Sequence, residues 1–373
     1  MKTFLFSLTL ITIINLSVFS QPTINTKKFG EFNEGLMSVR MGEYWGFIDT
    51  TGKLVIEPQF ENTFYEPYFN DGVAVIQMVK GGEFGAIDKT GKTVVPCRFY
   101  RLTSFSDGVA VVYKPADAAN ANTRAHCKIV SKTGQIVNDS TINDYSLQTR
   151  FSESLSYYRE KSTYGYLDTK GNVAIPNIFD DVRDFSDGMA AVYAKKGWTF
   201  IDKTGKTLDN FYYRTEPGSF HDGIATFTNN EGKKGAIDKT GKIVVQPKYE
   251  QLATFEKGFS TGKYTDETTW ETVFEILDAN GKVIRRLSPK DDKGKYYTLN
   301  SGFSEGLAII CEGYSNYGFI DTKGKIVIDL NFTGIEKFKN GRAYAEFTDK
   351  KSNKESKGFI DKKGKFVFYI NTD

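Results

Sequence analysis

The sequence predicts an all-β tandem array. Three observations carry this: a Phe-x-x-Gly phrase recurring along nearly the whole chain, a polar turn ending in Gly downstream of each phrase, and a composition with 14% aromatic residues and 35 Gly. Aromatic residues and frequent Gly favour strands and tight turns over helices. With 373 residues the chain exceeds what one hydrophobic core usually serves, so it must divide or repeat. No shift of composition marks a second domain, which leaves repetition.

The first element is not part of the array. Met1 to Gln21 holds one Lys, an apolar run from Phe4 to Phe19 and a polar Ser20-Gln21 junction. This is the pattern of a signal peptide, residues 1–20, cleaved near Ser20, with the array occupying 21–373. A membrane anchor is the other reading, but Ser7, Thr9, Thr12, Asn15 and Ser17 interrupt a run already short for a span. The expectation is an exported protein, periplasmic or extracellular, with no integral membrane span after cleavage.

Repeats start near Phe32, Phe69, Phe105, Phe151, Phe185, Phe220, Phe255, Phe303 and Phe338. The turn glycines follow at Gly52, Gly91, Gly134, Gly171, Gly205, Gly241, Gly281, Gly324 and Gly364. Self-similarity at this period marks a repeat architecture. In the second copy, Val73 to Ile76 and Phe84 to Ile87 are strand-length apolar runs, and Asp88-Lys89-Thr90-Gly91 between the second run and the next suits a type I turn closed by a left-handed residue. A third strand, Thr93 to Val95, stops at Pro96, as Pro58, Pro176 and Pro247 stop it elsewhere.

Two positions after the phrase's Gly stand Ala74, Ala110, Ala190, Ala225, Ala308 and Ala343, with Ser156 and Ser260 in two copies and Met37 as the exception. Small residues there imply close approach of a neighbouring sheet. Beyond the third strand apolar residues recur every third position, as in Phe99, Leu102, Phe105 and Phe179, Val182, Phe185. That period fits a short helical turn or a fourth, irregular strand. Two stretches, Lys114 to Ala125 and Leu287 to Asn300, read as inserted loops.

The expected architecture is therefore about nine three-stranded antiparallel meanders whose neighbours supply one another's core, stacked as an open, elongated or superhelical array. A closed propeller is the alternative. About nine units exceed the usual four to eight blades, and uneven spacing with two degraded copies suits an open stack.

Tyr44-Trp45-Gly46-Phe47-Ile48-Asp49-Thr50-Thr51-Gly52-Lys53 resembles the bacterial WG-repeat family, whose units carry Trp-Gly, an aliphatic-Asp pair and a Gly-Lys turn. The resemblance runs from about residue 29 to 368. Phe84, Tyr164, Lys234 and Tyr317 stand in the Trp slot elsewhere, and Trp198 is shifted against its Gly. The third copy, His126-Cys127-Lys128-Ile129, and the seventh, Phe274-Glu275-Ile276-Leu277, lack the Gly and should pack differently. The resemblance implies a β-rich array with interaction-type roles and no particular reaction.

Chemistry-bearing candidates are few. Gly258-Phe259-Ser260-Thr261-Gly262 matches a nucleophile elbow but lacks its strand-to-helix context, and Ser260 fills a slot that holds Ala in other copies. Asp88-Lys89-Thr90-Gly91-Lys92 recurs at Asp202 and Asp238, which fits a hairpin turn and not a phosphorylation loop; Asp278-Ala279-Asn280-Gly281 starts like a calcium loop without its later ligands. His126 and His221 lie far apart, and Cys97, Cys127 and Cys311 form neither a disulfide framework nor a metal set. No catalytic, cofactor-binding or metal residue is assigned and no cofactor is expected.

A net charge of +3 from 49 basic and 46 acidic residues provides no field for nucleic acid. Strand alternation places both turn classes on one rim, where Lys89, Lys92, Lys203, Lys206, Lys239, Lys242, Lys323 and Lys325 face Asp71, Asp107, Asp187, Asp222 and Glu305; this reads as a solvated rim more readily than as a binding stripe. The functional expectation is a non-catalytic binding or scaffold protein of the cell envelope or exterior, with protein or polysaccharide partners. A glycan-binding protein or carbohydrate-directed hydrolase is the alternative, since Trp and Tyr stack on sugar rings and carboxylates are plentiful.

Overall fold

A computed structural model describes residues 21–372 apart from 62–65, 80, 114–126, 138–145, 148–149, 209–211, 291–294, 300 and 314. The proposed signal segment and the Lys114 to Ala125 stretch lie outside the described residues. Every regular element among the described residues is a strand. Among the described residues no helix is long and apolar enough to cross a membrane.

The strands form nine small sheets in chain order, here called blades 1 to 9. Each is centred on a hairpin of two full strands. In order these are Leu36–Met41 with Tyr44–Asp49, Val73–Gln77 with Phe84–Asp88, Val109–Tyr113 with Cys127–Ser131, Leu155–Glu160 with Thr163–Asp168, Met189–Ala194 with Gly197–Asp202, Ile224–Thr228 with Lys234–Asp238, Phe259–Thr265 with Thr272–Asp278, Leu307–Glu312 with Asn316–Asp321, and Ala343–Thr348 with Glu355–Ile360.

The blades close into a ring, a nine-bladed β-propeller, and this overturns the expected open stack. Each hydrophobic cluster bridges one pair of neighbours, for example Ile56 of blade 1 with Phe69 and Ala74 of blade 2, or Phe319 of blade 8 with Phe338 and Ala343 of blade 9. The same kind of cluster joins blade 9 back to blade 1, where Phe359, Phe368 and Ile370 pack against Phe32, Met37, Val39 and Ile48. The phrase's Phe meets an aromatic of the preceding blade at most junctions: Phe47 with Phe69, Tyr166 with Phe185, Phe200 with Phe220, and at the seam Phe359 with Phe32, at centroid distances of 4.7 to 5.2 Å. Covalent order and ring order are tied by Thr23–Asn25, which adds a parallel strand to Phe366–Asn371 of the last blade. The open-stack expectation failed because it rested on a preferred blade number. Closure depends on whether the last unit can bury the face that the first leaves open, and these residues do so.

The three-stranded unit is also corrected. After the third strand the chain forms a two-residue strand, Arg101–Leu102, Asp181–Val182, Gln251–Leu252 or Gly334–Ile335, that pairs with the next blade. The every-third-residue pattern is therefore a fourth strand handing the chain on. Likewise Leu287 to Asn300 is not only a loop, because Tyr297–Leu299 within it pairs with blade 8.

Candidate functional site

The rim carrying both turn classes holds a belt of charged side chains. Each Phe-x-x-Gly phrase closes a two-residue hairpin: Asn33 bridges Leu36 while Glu34 and Gly35 take φ of 51° and 86°. Positive φ at both central residues is the type I′ turn, whose twist matches its strands. The acid at the first left-handed position then reaches across to the next blade. Side chains of Glu34, Asp71, Asp107, Glu153, Asp187, Asp222, Glu256, Glu305 and Asn340 accept hydrogen bonds from the backbone N–H of Gly72, Gly108, Ser154, Gly188, Gly223, Gly258, Glu305, Gly341 and Gly35 in turn. These bonds run once around the ring and return to blade 1. In blade 7, where Lys257 occupies the turn, the neighbouring Glu256 makes the link instead.

Lysines of the second turn class reinforce this belt. Lys89 pairs with Glu34, Lys132 with Asp71, Lys203 with Glu153, Lys239 with Asp187 and Lys362 with Glu305, all from one blade to the blade before it. The expected meeting of lysines and acids on one rim is thus present, with partners shifted in detail. These charges fasten blades together.

The other candidates resolve into structure. Ser260 is buried and donates to Ala253 O at 2.5 Å. Asp88 Oδ1 accepts from Thr90 N, Thr90 Oγ1 and Lys92 N, and Asp202 and Asp238 do the same. Asp278 accepts from Asn280 N and Lys282 N. Each carboxylate organises its own hairpin, Gly91 with φ of 86° closing the turn as expected. His221 is the first residue of an I′ hairpin bridge to Ile224; His126 lies outside the described residues. The cysteines are free, Cys127 and Cys311 buried. Among the described residues no cluster of His, Cys, Asp and Glu could hold a metal ion.

The Gly of the Trp-Gly pair has a steric role. A Cβ on Gly46 would stand 2.6 Å from Ile56 O and one on Gly165 would stand 2.5 Å from Ile175 O, because the third strand bulges onto that position. Trp45 and Trp198 are buried. In blade 7 the slot holds Glu275, fully buried, with Lys248 Nζ at 2.8 Å, Arg286 Nη2 at 3.0 Å, and the hydroxyls of Tyr249 and Tyr264 donating at 2.6 and 3.3 Å. Burial pushes the Glu275 carboxyl up, but hydrogen bonds from Lys248, Tyr249 and Arg286 and the Lys248 charge outweigh it and hold the group below its ordinary range. The same burial, with Glu275 beside it, pushes the Tyr249 phenol far up.

Concave surface is found where the short first strand meets the phrase. One groove of about 340 Å³ is lined by Glu66, Tyr68, Phe84, Arg101, Ser104 and Arg150 of blades 2 to 4. Tyr68 is held by Ser104 Oγ at 2.6 Å, and the Arg101 guanidinium lies 5.2 Å over the Tyr113 ring. A second, of about 350 Å³, gathers Lys234, Gln251, Thr261, Lys263, Ser301 and Lys337 from blades 6 to 9. Four blades can meet in one groove only where they converge, toward the axis of the ring. Sequence reasoning missed these positions. The available signal was variation: immediately before the repeated Phe stand Glu31, Tyr68, Ser104, Arg150, Asp184, Ser219, Thr254, Gly302 and Lys337, while the Phe itself is kept in every copy.

No curated protein sequence is detectably similar to the chain. Among solved structures, a eukaryotic initiation factor aligns with a TM-score of 0.56 at 14% identity, covering 90% of this chain and 96% of that one. Kluyveromyces lactis Hsv2 aligns at 0.35 and 8% identity, covering 92% and 98%, and a puromycin hydrolase at 0.35 and 12%, covering 81% and 59%. At 14% identity the likeness to the initiation factor concerns the fold alone. Residues 45–81, 84–114, 164–196, 235–261 and 317–350 match the WG containing repeat family. Those segments carry the bulge-accepting glycines Gly46, Gly85, Gly165, Gly235 and Gly318, and these five stretches are accordingly WG-containing repeats set within a nine-bladed propeller.

Proposed function

We propose that the protein is an exported, non-catalytic binding protein of the cell envelope or exterior, and that it holds a glycan in the groove of blades 2 to 4. The observation that carries this reading is the groove's composition. Tyr68 and Phe84 offer aromatic surface; Glu66, Arg101, Ser104 and Arg150 surround them with donors and acceptors. Sugar rings present apolar faces and hydroxyl edges, and a concave, mainly apolar site with a few placed polar groups suits them. Its volume of about 340 Å³ falls in the range of small-ligand sites. The belt of inter-blade bonds leaves the ring stiff, so the groove is largely pre-formed.

A scaffold for protein partners is the second reading, favoured by the variation at the position before each Phe, which changes surface chemistry from blade to blade. Binding to a panel of soluble oligosaccharides separates the two. A glycan ligand whose affinity drops at least about tenfold in both Tyr68→Ala and Arg150→Ala, with unchanged melting temperature, supports the first. Capture of an envelope protein with no glycan bound replaces it with the second. Turnover of a bound glycan, abolished by Glu66→Gln, would make the protein a hydrolase.

A further inference from the structure

The second groove differs in chemistry from the first. Lys234, Lys263 and Lys337 all line it, with Gln251, Thr261 and Ser301, and no Asp or Glu is among its lining residues. On the rim, five lysines are matched by acids: Lys89, Lys132, Lys203, Lys239 and Lys362 each have a carboxylate within 3.1 Å. Lys234, Lys263 and Lys337 enter no ion pair among the described residues.

The nearby acids are engaged elsewhere. Glu275, next to Phe274 of the groove wall, is held by Lys248 and Arg286. Glu250 lies 3.9 Å from Lys233 and accepts from Thr265 N. Glu336, beside Lys337 in sequence, is pushed up by burial and by Glu31 and Glu346 and does not line the groove. Hydroxyl chemistry completes the site. Ser301 Oγ accepts from Ile309 N, which leaves its own proton for an acceptor, while Thr261 Oγ1 donates to Ser301 O and fixes that segment.

Three ammonium groups sharing a walled groove repel one another, and a concave low-dielectric wall strengthens their combined field. An oxyanion removes that repulsion and accepts from lysine and hydroxyl donors together. We infer that this groove between blades 6 and 9 is a binding site for a small ligand bearing carboxylate, sulfate or phosphate groups. The inference stands apart from the glycan groove, which uses different residues in blades 2 to 4.

The test is titration calorimetry on the whole mature chain with three probes: inorganic phosphate, sulfate and a trigalacturonate, with maltotriose as the neutral control. Wild type should bind at least one anion, with affinity falling as salt rises, and should ignore maltotriose at this site. A Lys234→Gln, Lys263→Gln, Lys337→Gln triple variant should lose at least about tenfold in affinity, while Lys195→Gln, Lys196→Gln, changed in a hairpin outside the groove, should bind as wild type does. Tyr68→Ala should also leave this binding intact, which separates the outcome from the fate of the glycan reading. Preference for trigalacturonate over phosphate and sulfate would assign an acidic saccharide, and the reverse order a free inorganic or ester oxyanion. Absence of binding by every anion, or equal binding by the triple variant at an unchanged melting temperature, would overturn the inference.

Discussion

Blades 4 and 7 are built from the same four-strand plan and solve one packing problem in opposite ways. In blade 4, Gly165 lets the third strand, Val173–Phe179, bulge over it at Pro176, with Ile175 and Phe179 on either side of the bulge in the core shared with blade 5. In blade 7 the third strand, Val283–Leu287, has no Pro and pairs in regular register through Phe274, Glu275 and Ile276 with Leu287, Arg286 and Arg285. The space that a bulged strand would occupy is filled by the Glu275 carboxylate and four donors. Gly262 is part of the exchange, because a Cβ there would meet the Tyr249 ring at 2.4 Å and keep its hydroxyl from Glu275. A steric device has been replaced by a polar one, and such networks hold only while every member is satisfied.

The comparison breaks most easily at Glu275. Glu275→Ala should destabilise the protein by about 3 to 5 kcal/mol, since it strands Lys248 and the buried Tyr249 hydroxyl without an acceptor. Glu275→Gln should cost less, because an amide oxygen still accepts. A urea midpoint for Glu275→Ala equal to that of wild type would show that the cluster adds nothing. The same pair yields a pH signature. The folded-state carboxyl lies below its unfolded value near 4.5, so its contribution is present above that value and disappears as pH falls through the lower folded value. The stability gap between wild type and Glu275→Gln should therefore narrow as pH drops from 5 to 3, read from melting temperatures. A gap that widened toward acid would reverse the assignment.

Gly165→Ala sharpens the other half. An added methyl group 2.5 Å from Ile175 O and 2.7 Å from Asn177 N forces the bulge away, at about 2 to 3 kcal/mol. Denaturant unfolding checks this, and a loss below about 0.5 kcal/mol would mean that the third strand moves freely. The smallest effect concerns the Asp-to-Gly turn that blades 4 and 7, at Gly171 and Gly281, have in common with blade 2, at Gly91. Gly91→Val should cost about 1 to 2 kcal/mol through its left-handed backbone, and the Lys92→Val control close to none. Equal midpoints for the two variants would contradict the turn geometry.

Much of this is legible in residues that act locally. Gly91 after Asp88 and Thr90 specifies its turn because the hydrogen bonds lie within five residues. Ala74 and its equivalents announce a close neighbour, and each proves to be buried between blades. The loss of Gly in the seventh copy signalled altered packing, but its compensation by Lys248, Tyr249, Tyr264 and Arg286 was not readable. Those residues meet only when blades 6 and 7 are side by side, and a lysine before an aromatic has no distinctive spacing. The grooves were illegible for a related reason. Lys234 and Lys337 stand about a hundred residues apart, and nothing local distinguishes them from the rim lysines that pair with acids.

The amino-acid sequence by itself determined the repeat, its strands and turns, and its all-β class, because period-two patterning, Gly at left-handed positions and Pro at strand ends act over a few residues. Only the tertiary structure decided that the ring closes, because closure depends on Phe32 reaching Phe359 and Thr23–Asn25 reaching Tyr369–Asn371, contacts between the two ends of the chain. It also decided which charges are spent on fastening blades and which are left facing a groove, since an ion pair is a property of two blades set side by side.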